Sequence, residues 1–267
     1  MPFALLALLA LVQGITEFLP VSSSAHLVLT RLAWGDAGGG ANMLALDVAL
    51  HVGTLFAVML YFRKDVAALI RGGLGLIVGR REGDARLAWL VLVATIPAIL
   101  AGAMLKGLIT DHLRGVETIA WTTLIFGLAL GWADRLPAAK RTLDLGWKGA
   151  LTIGAAQAFA LVPGVSRSGV AMTAARALQL SREEAARFAL LLAIPTIAGA
   201  GALAGLDLWQ AGDVALGADA ALGAALSFIA AYGAIWLMMR WLKRASFMPF
   251  VIYRLALGLV LLAVAYG

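Results

Sequence analysis

The sequence predicts an all-α, polytopic membrane protein with six transmembrane helices and two re-entrant helical hairpins, arranged as an inverted repeat. The first observation is composition: of 267 residues, 62% are hydrophobic and 13% are charged, and the mean hydropathy is +0.93. A soluble domain is closer to half apolar and a quarter charged. The second is a series of apolar runs of about 17 to 25 residues, each able to cross roughly 30 Å of hydrocarbon. The third is a polar pattern near the N-terminus that recurs 144 positions later.

The first apolar stretch, residues 3–34, is interrupted near its centre by Pro20 and by serines at positions 22–24. Proline cannot continue the hydrogen-bond ladder of a helix, and a serine hydroxyl suits a helix start. The stretch is therefore predicted to form two half-helices joined by a turn, which is a re-entrant hairpin rather than a single span.

The spans predicted after this hairpin lie at residues 47–62, 87–105 and 118–133. A glycine-rich loop at residues 35–40 precedes them, and the short, glycine-broken stretch 66–78 is typical of an interfacial helix. From Gly149 the pattern restarts with a second broken hairpin. It is followed by spans predicted at residues 187–206, 220–239 and 248–266.

The restart is interpreted as an internal repeat within a single membrane domain. A shift of 144 residues aligns Gln13 with Gln157 and residues 21–24 with residues 165–168. The two halves are then about residues 1–135 and 146–267. Because each half contains three spans, an odd number, the second hairpin must enter from the opposite side of the membrane. This is the inverted-repeat plan, in which discontinuous helices meet near the bilayer midplane.

The basic residues agree with this topology, since orientation follows the Lys and Arg of short loops. Basic loops at residues 63–86, 135–148, 181–187 and 240–244 fall on one side, which is predicted to be cytoplasmic. A loop carrying Asp207, Asp213 and Asp219 falls on the other side. Both termini and the opening of the first hairpin are then predicted to face outward.

Several function classes are excluded by composition. The chain has no cysteine, which excludes disulfides, thiolate metal sites and cysteine nucleophiles. The net charge of +6 lies in short loops between apolar runs, and no basic, solvated face is present. No nucleic-acid partner is therefore expected.

The two interrupted stretches carry the chemistry. A helix is predicted to begin near Ser22 and another near Ser166, and helix N-termini with free N–H groups are ready anion sites. Arg167 adds a planar fork that matches phosphate geometry, and Gly164 allows close approach of the backbone to a ligand. A lipid pyrophosphate fits both features, since its head is strongly negative and its tail remains in the bilayer.

The first stretch also contains acid–base groups. Gln13 and Glu17 are four residues apart and share a helix face. Glu17 could act as a general base, or it could bind Mg²⁺ or Ca²⁺, which prefer oxygen ligands. Ser22 or Ser23 shares a face with His26, and a serine beside a histidine or glutamate base is the minimal activated nucleophile.

These residues carry a resemblance to a known family. The stretch Q-G-I-T-E-F-L-P-V-S-S at residues 13–23 and P-G-V-S-R-S-G at residues 163–169 resemble the two signature motifs of the undecaprenyl-pyrophosphate phosphatases, the bacitracin-resistance phosphatases. The resemblance covers the whole chain. It implies hydrolysis of undecaprenyl pyrophosphate to the monophosphate carrier of cell-wall synthesis in a bacterial inner membrane, with a divalent cation and a site open to the periplasmic side.

Carried onto this chain, the resemblance implies site residues at specific positions. The catalytic candidates are Glu17, Ser23, His26 and Arg167, with Glu17 also the metal candidate. The substrate-binding candidates are Gln13, Ser22, Ser24, Gly164, Ser166, Ser168 and Thr173. The chain departs from the motifs in two places: the first acidic position is Gln13 and not a carboxylate, and the final threonine of the second motif falls on Ala171. The sequence leaves open whether the site holds a metal that needs two carboxylates. It also leaves open whether Thr173 takes the place of the motif's final threonine.

Structural alternatives exist for most of these residues. The serines could be only helix caps, Glu17 and Arg167 a structural buried pair, and His26 a partner of a backbone carbonyl. Asp47 and His51, four residues apart, could be a third contributor to the site, but the favoured interpretation is a buried hydrogen-bonded pair near a span end. Arg254, inside an apolar span, is interpreted as structural, either snorkelling or paired with an acid.

The rival function is a polyprenyl-phosphate transporter or flippase, because inverted repeats with broken midplane helices are also a transporter plan. The chemistry at the first hairpin is richer than solute binding requires, which favours the enzyme. The oligomeric state is not fixed by the sequence, and a homodimer is one alternative.

Overall fold

The structure, a computed structural model, describes residues 2–35, 41–113, 115–211 and 214–267, and leaves the side chains of 41–45, 105–112, 200, 203–211 and 214–216 undescribed. Across these ranges the chain forms α-helices and two short 3₁₀ turns, with no β-strand. The helices are α1 Phe3–Thr16, α2 Ser23–Trp34, α3 Ala41–Tyr61, α4 Arg63–Ile77, α5 Asp84–His112, α6 Val116–Asp134, α7 Trp147–Ala158, α8 Arg167–Ala177, α9 Arg182–Ala211, α10 Val214–Leu242 and α11 Met248–Tyr266.

Four helices in the described part are long and apolar enough to cross a membrane. They are residues 84–104 of α5, α6, residues 217–242 of α10, and α11, and a fifth span is obtained if α3 and α4 count together. Helix α4 turns by 90° from α3, which agrees with its prediction as an interfacial helix. The predicted span at 187–206 extends into residues whose side chains are not described, so its character stays a prediction. The chain is thus a multi-pass, all-helical membrane protein.

Two pairs of helices are too short to cross a bilayer individually. Helices α1 and α2 have 14 and 12 residues, and α7 and α8 have 12 and 11. At about 1.5 Å per residue, each is roughly 16–21 Å long. Both pairs break where the sequence predicts, at the Pro20–Ser22 segment and at the segment from Phe159 to Ser166.

Close packing between helices is made possible by small residues. Helix α3 packs against α10 and α9, α1 packs against α10, and α5 packs against α7. At Gly53 of α3, an added Cβ would lie 2.1 Å from the carbonyl oxygen of Ala224, and at Gly14 of α1 it would lie 2.5 Å from Ala230 Cβ. At Gly154 of α7, it would lie 2.3 Å from the carbonyl oxygen of Ala94 in α5. Small residues at such crossings are the usual means of helix association in lipid.

One end of the molecule is held by a buried polar network. The Asp134 carboxylate at the end of α6 is 3% exposed, accepts Arg182 Nε at 2.5 Å and accepts the backbone N–H of Phe247 at 3.1 Å. The Arg176 guanidinium donates to backbone carbonyls, including that of Asp134 at 3.2 Å. The ends of α6, α8, α9 and α11 therefore meet at one polar junction.

One sequence prediction is corrected by the observed helix boundaries. Asp207 and Asp219 do not lie in a loop, because α9 runs to Ala211 and α10 begins at Val214. The Ala- and Leu-rich sequence has a high helix propensity and continues both helices past these acids. Asp213 and residues 36–40 of the predicted glycine-rich loop lie outside the described residues.

Candidate active site

The two helix breaks meet at the wall of one cavity of about 720 Å³. Its polar wall comes from the first break, the second break and α3, and its apolar wall comes from α5 and α9. The lining residues are Glu17, Ser22, Ser23, Ser24, Asp47, Val48, His51, Ala98, Ile99, Gly102, Gln157, Ala160, Leu161, Ser166, Arg167, Pro195, Thr196, Ile197, Gly199 and Gly201.

The first break presents a serine to a carboxylate. Glu17 is the C-cap of α1, and α2 begins at Ser23 after Ser22, which has φ +74°. A positive φ is costly for a residue with a side chain, so the turn depends on surrounding contacts. It directs the Ser23 hydroxyl back to Glu17 Oε2, to which it donates a hydrogen bond of 2.5 Å.

The second break has the same geometry at its helix start. Ser166 has φ +71° and is the N-cap of α8, where its hydroxyl accepts the backbone N–H of Gly169 at 3.1 Å. Gly164 has φ +92°, and a Cβ there would lie 2.1 Å from Thr122 Oγ1 and 2.7 Å from the Ile119 carbonyl oxygen. Only glycine fits this turn, which sets Arg167 as the first residue of α8.

Glu17 is the polar centre of the cavity. Its side chain is 3% exposed, and its Oε1 accepts Arg167 in a salt bridge from the second break. Its Oε2 accepts the Ser23 hydroxyl and, at 2.9 Å, the Nε2–H of Gln13. Arg167 is further held by Thr196 Oγ1 at 3.0 Å. Ser23 and Arg167 therefore bind the two oxygens of one carboxylate, within reach of a single ligand.

Further hydrogen bonds hold the two breaks together. The Ser168 hydroxyl donates to the carbonyl oxygen of Leu19 at 3.0 Å. Arg254 of α11 is fully buried and donates to Pro20 O at 3.3 Å in the first break. It also donates to Gly164 O at 2.8 Å and Val165 O at 3.0 Å in the second. Arg254 is buried rather than snorkelling and pairs with no acid in the described part of the chain, so that part of its sequence-based interpretation is wrong. Its interpretation as structural agrees with these contacts.

The remaining candidates do not line the cavity. His26 Nδ1 donates to the carbonyl oxygen of Ser22 at 2.6 Å and its Nε2 lies 2.5 Å from the Tyr253 hydroxyl, so both nitrogens are engaged away from Glu17. Thr173 donates at 2.7 Å to Gly169 O of its own helix. Gln13, Gly164 and Ser168 support the two breaks from behind the wall.

A histidine on α3 lies beside Glu17 instead. His51 Nε2 is 3.5 Å from Glu17 Oε2, and its Nδ1 donates to the backbone carbonyl of Asp47 at 2.7 Å. The Asp47 carboxylate forms a salt bridge with Arg31. Asp47 and His51 are therefore a hydrogen-bonded pair, as predicted, but the bond uses the Asp47 backbone, both residues are only partly buried, and both line the cavity. Their spacing of four residues was the only sequence signal for this position.

A divalent cation would find few oxygen ligands from the protein. Among the described residues no group of three His, Cys, Asp or Glu side chains is clustered as in a metal site. Glu17 and Asp47 each pair with an arginine, while Gln13 Oε1 is buried without a hydrogen-bond partner in the described part. Such a set fits Mg²⁺ or Ca²⁺ only if the ligand supplies further oxygens, as substrate phosphates do for Mg²⁺.

Comparison with known proteins gives consistent matches over the whole chain. The family described as bacitracin resistance protein BacA matches residues 6–260. The undecaprenyl-diphosphatase of Jannaschia sp. (strain CCS1) is 51% identical over 265 residues, covering 98% of both chains. Undecaprenyl-diphosphatase 1 of Rhodospirillum rubrum is 50% identical over 98% of this chain and 94% of its own, and the undecaprenyl-diphosphatase of Ruegeria pomeroyi is 50% identical over 98% of both.

Replacing Arg254 by lysine tests whether its fork holds the two breaks together. Arg254 donates to backbone carbonyls through Nε, Nη1 and Nη2. The single ammonium of Arg254→Lys cannot replace all of these bonds, so the variant should leave buried carbonyls unpaired and lower the free energy of unfolding by about 2–4 kcal/mol. The measurement is the thermal unfolding midpoint in detergent. The control is Arg240→Lys, at an exposed arginine that stacks on Trp236. Equal midpoints for the two variants would contradict this role.

Proposed function

The chain belongs to the bacitracin resistance protein BacA family, and we propose that it is an integral membrane phosphatase hydrolysing undecaprenyl pyrophosphate to undecaprenyl phosphate and inorganic phosphate. This reaction recycles the lipid carrier of cell-wall synthesis and confers bacitracin resistance. The observation that carries the proposal is Glu17, which accepts both Ser23 and Arg167 at the wall of one cavity. Transport of intact lipid has no comparable support, because the matched relatives bear the name of an enzyme.

The substrate is proposed to bind with its diphosphate at the polar wall of the cavity and its prenyl chain at the apolar wall. The N-termini of α2 and α8 offer unpaired N–H groups and partial positive charge to the diphosphate, and Arg167 adds a full positive charge. Ser22, Ser24 and Ser166 line the same polar side. Ile99, Leu161 and Ile197 line the other side, where the first part of the prenyl chain can leave towards the bilayer.

The reaction is proposed to begin with Ser23. Its hydroxyl donates its proton to Glu17 as the oxygen attacks the terminal phosphorus. The bond from that phosphorus to the bridging oxygen breaks, and undecaprenyl phosphate leaves with the bridging oxygen. Water then hydrolyses the phosphoserine and releases inorganic phosphate. In the alternative, water attacks directly with Glu17 as base, and Ser23 only binds. In both, Arg167 stabilises charge on the transferred phosphoryl.

The two histidines are proposed to act differently from the expectation of the motif. His51 faces Glu17 through the nitrogen that its own helix leaves free, so it can exchange a proton with the carboxylate. His26 holds the carbonyl of Ser22 and thereby the strained turn that presents Ser23. We therefore assign His26 a positioning role and His51 a role in proton transfer.

A divalent cation, Mg²⁺ or Ca²⁺, would be held by Glu17 together with substrate phosphate oxygens. When bound, it would neutralise negative charge on the diphosphate. This assignment is supported by the position of Glu17 at the cavity wall.

In the bilayer, we propose six transmembrane helices and two re-entrant hairpins, α1–α2 and α7–α8, related as an inverted repeat. The proposal is supported by the matching φ values of Ser22 and Ser166 and by reciprocal packing, of α1 against α10 and α7 against α5. Basic loop residues favour a cytoplasmic location for the polar junction at Asp134. The site would then open to the periplasmic side of a bacterial inner membrane. The homodimer stays a prediction.

Phosphate release from undecaprenyl pyrophosphate in detergent tests the reaction. Glu17→Gln, Ser23→Ala and Arg167→Lys should each lower the rate by roughly 100-fold or more, because each removes the base, nucleophile or phosphate fork. Thr152→Val is the control, since the Thr152 hydroxyl is exposed and donates within its own helix. Full activity in Glu17→Gln would exclude Glu17 as the catalytic base.

Movement of intact lipid across liposomes that contain the protein, without release of phosphate, would favour transport. A quenched reaction that contains no phosphoserine would favour direct attack by water.

Variants of the two histidines separate proton transfer from positioning. His51→Ala should lower phosphate release roughly tenfold or more with an unchanged unfolding midpoint, since the described hydrogen bond of its side chain lies within α3 and its other nitrogen faces Glu17. His26→Ala should lower both the rate and the midpoint, because it breaks the link between Ser22 and Tyr253. Activity is measured in detergent beside thermal unfolding. A fully active His51→Ala variant would exclude His51 from the reaction.

A further inference from the structure

Gln157, in the last turn of α7, is a buried amide without a protein partner. The residue is 2% exposed, and neither Nε2 nor Oε1 has a hydrogen-bond partner among the described residues. A buried amide that makes no hydrogen bond costs folding free energy, so such groups are rare in native proteins and call for a specific explanation. Packing alone does not explain it, because a leucine would fill similar space without that cost.

The position of Gln157 supplies the explanation. It lines the same cavity as Glu17, Ser23 and Arg167, although it lies on a different helix from all three. Its polar atoms have no partner in the described protein and the side chain borders the volume where the substrate diphosphate would lie. An amide at this wall can donate to a phosphate oxygen through Nε2 and accept from a protonated phosphate oxygen through Oε1.

The equivalent glutamine of the first half behaves differently. Gln13, 144 residues earlier, donates through Nε2 to Glu17 Oε2 at 2.9 Å and does not line the cavity. Gln13 therefore orients Glu17, the proposed base, whereas Gln157 orients no side chain among the described residues. Gln13 Oε1 also lacks a hydrogen-bond partner among the described residues, but of the two glutamines it is Gln157 that lines the cavity.

We infer that Gln157 binds the diphosphate of the substrate directly, as a neutral donor beside Arg167. The inference rests on the proposed function for the identity of the ligand. A neutral amide suits this position, since a carboxylate would repel the phosphates. Gln157 makes and breaks no covalent bond; it holds the head group against the N-terminus of α8.

The experiment compares Gln157→Leu with Gln13→Leu. Gln157→Leu should raise KM for undecaprenyl pyrophosphate roughly tenfold, the effect of losing one hydrogen bond to a charged group. Its unfolding midpoint should equal or exceed that of the unsubstituted protein, because an unpaired buried amide is replaced by an apolar group. Gln13→Leu should instead lower kcat, because Glu17 loses the hydrogen bond from Gln13.

Inorganic pyrophosphate provides a binding probe that is independent of catalysis. Its binding should raise the unfolding midpoint, and this increase should be smaller in Gln157→Leu.

The outcomes separate this inference from the proposed function. If the unsubstituted protein releases no phosphate, the proposed function fails, while the pyrophosphate shifts still decide the role of Gln157. Unchanged KM and unchanged pyrophosphate shift in Gln157→Leu would overturn the inference and leave the amide as a partner of water only. A lower midpoint with unchanged binding would also overturn it, by making the amide structural. If the leucine variant does not fold, Gln157→Met, which is similar in length and lacks the amide, decides between the same results.

Discussion

The ion pair between Glu17 and Arg167 is the contact on which the site depends. It joins residues 150 positions apart in a chain that is largely apolar. A buried carboxylate in such surroundings is costly unless it is paired and hydrogen-bonded, and Glu17 receives Arg167, Ser23 and Gln13. Because the carboxylate is 3% exposed and Arg167 is 22% exposed, the arginine is the partner that remains accessible to an anion. The pair thus stabilises the meeting of the two breaks and leaves a cation at the cavity.

The backbone near the Glu17–Arg167 ion pair adopts strained conformations that depend on contacts with the surrounding helices. Ser22 and Ser166 both have positive φ, and both immediately precede a helix. Arg254, fully buried, binds carbonyls on the N-terminal side of both turns and so fixes them relative to each other. Strain at a site persists where the surroundings over-determine the structure, and here that support comes from the last helix of the chain. The strained turns place the N-termini of α2 and α8 at the wall of one cavity.

The sequence predicted the all-helical, multi-pass class, both helix breaks and the contact of three site residues, and it did not predict which partners several other side chains bind. Interruption by proline and serine predicted both breaks, and the motifs predicted the meeting of Glu17, Ser23 and Arg167. Periodicity cannot tell which histidine turns towards Glu17, because His26 and His51 both lie four residues from a polar residue. Periodicity also cannot show that Arg254 donates to backbone carbonyls, or that Gln157 has no partner among the described residues. Both facts depend on contacts between helices that are distant in the sequence. The ends of α9 and α10 were misplaced because aspartates do not stop an Ala- and Leu-rich helix.

The two interrupted helix pairs meet at one cavity to form a single site. The absence of native cysteine allows a direct test by thiol cross-linking in membranes. Leu19→Cys with Ser168→Cys places one thiol in each break, where the Ser168 hydroxyl lies 3.0 Å from the Leu19 carbonyl oxygen. A short bifunctional thiol reagent is expected to link this pair efficiently. It should not link Ser168→Cys with Trp34→Cys, at the far end of α2, about 16 Å along that helix from Ser23. Absence of a link between positions 19 and 168, with both thiols reactive towards a monofunctional label, would contradict the account.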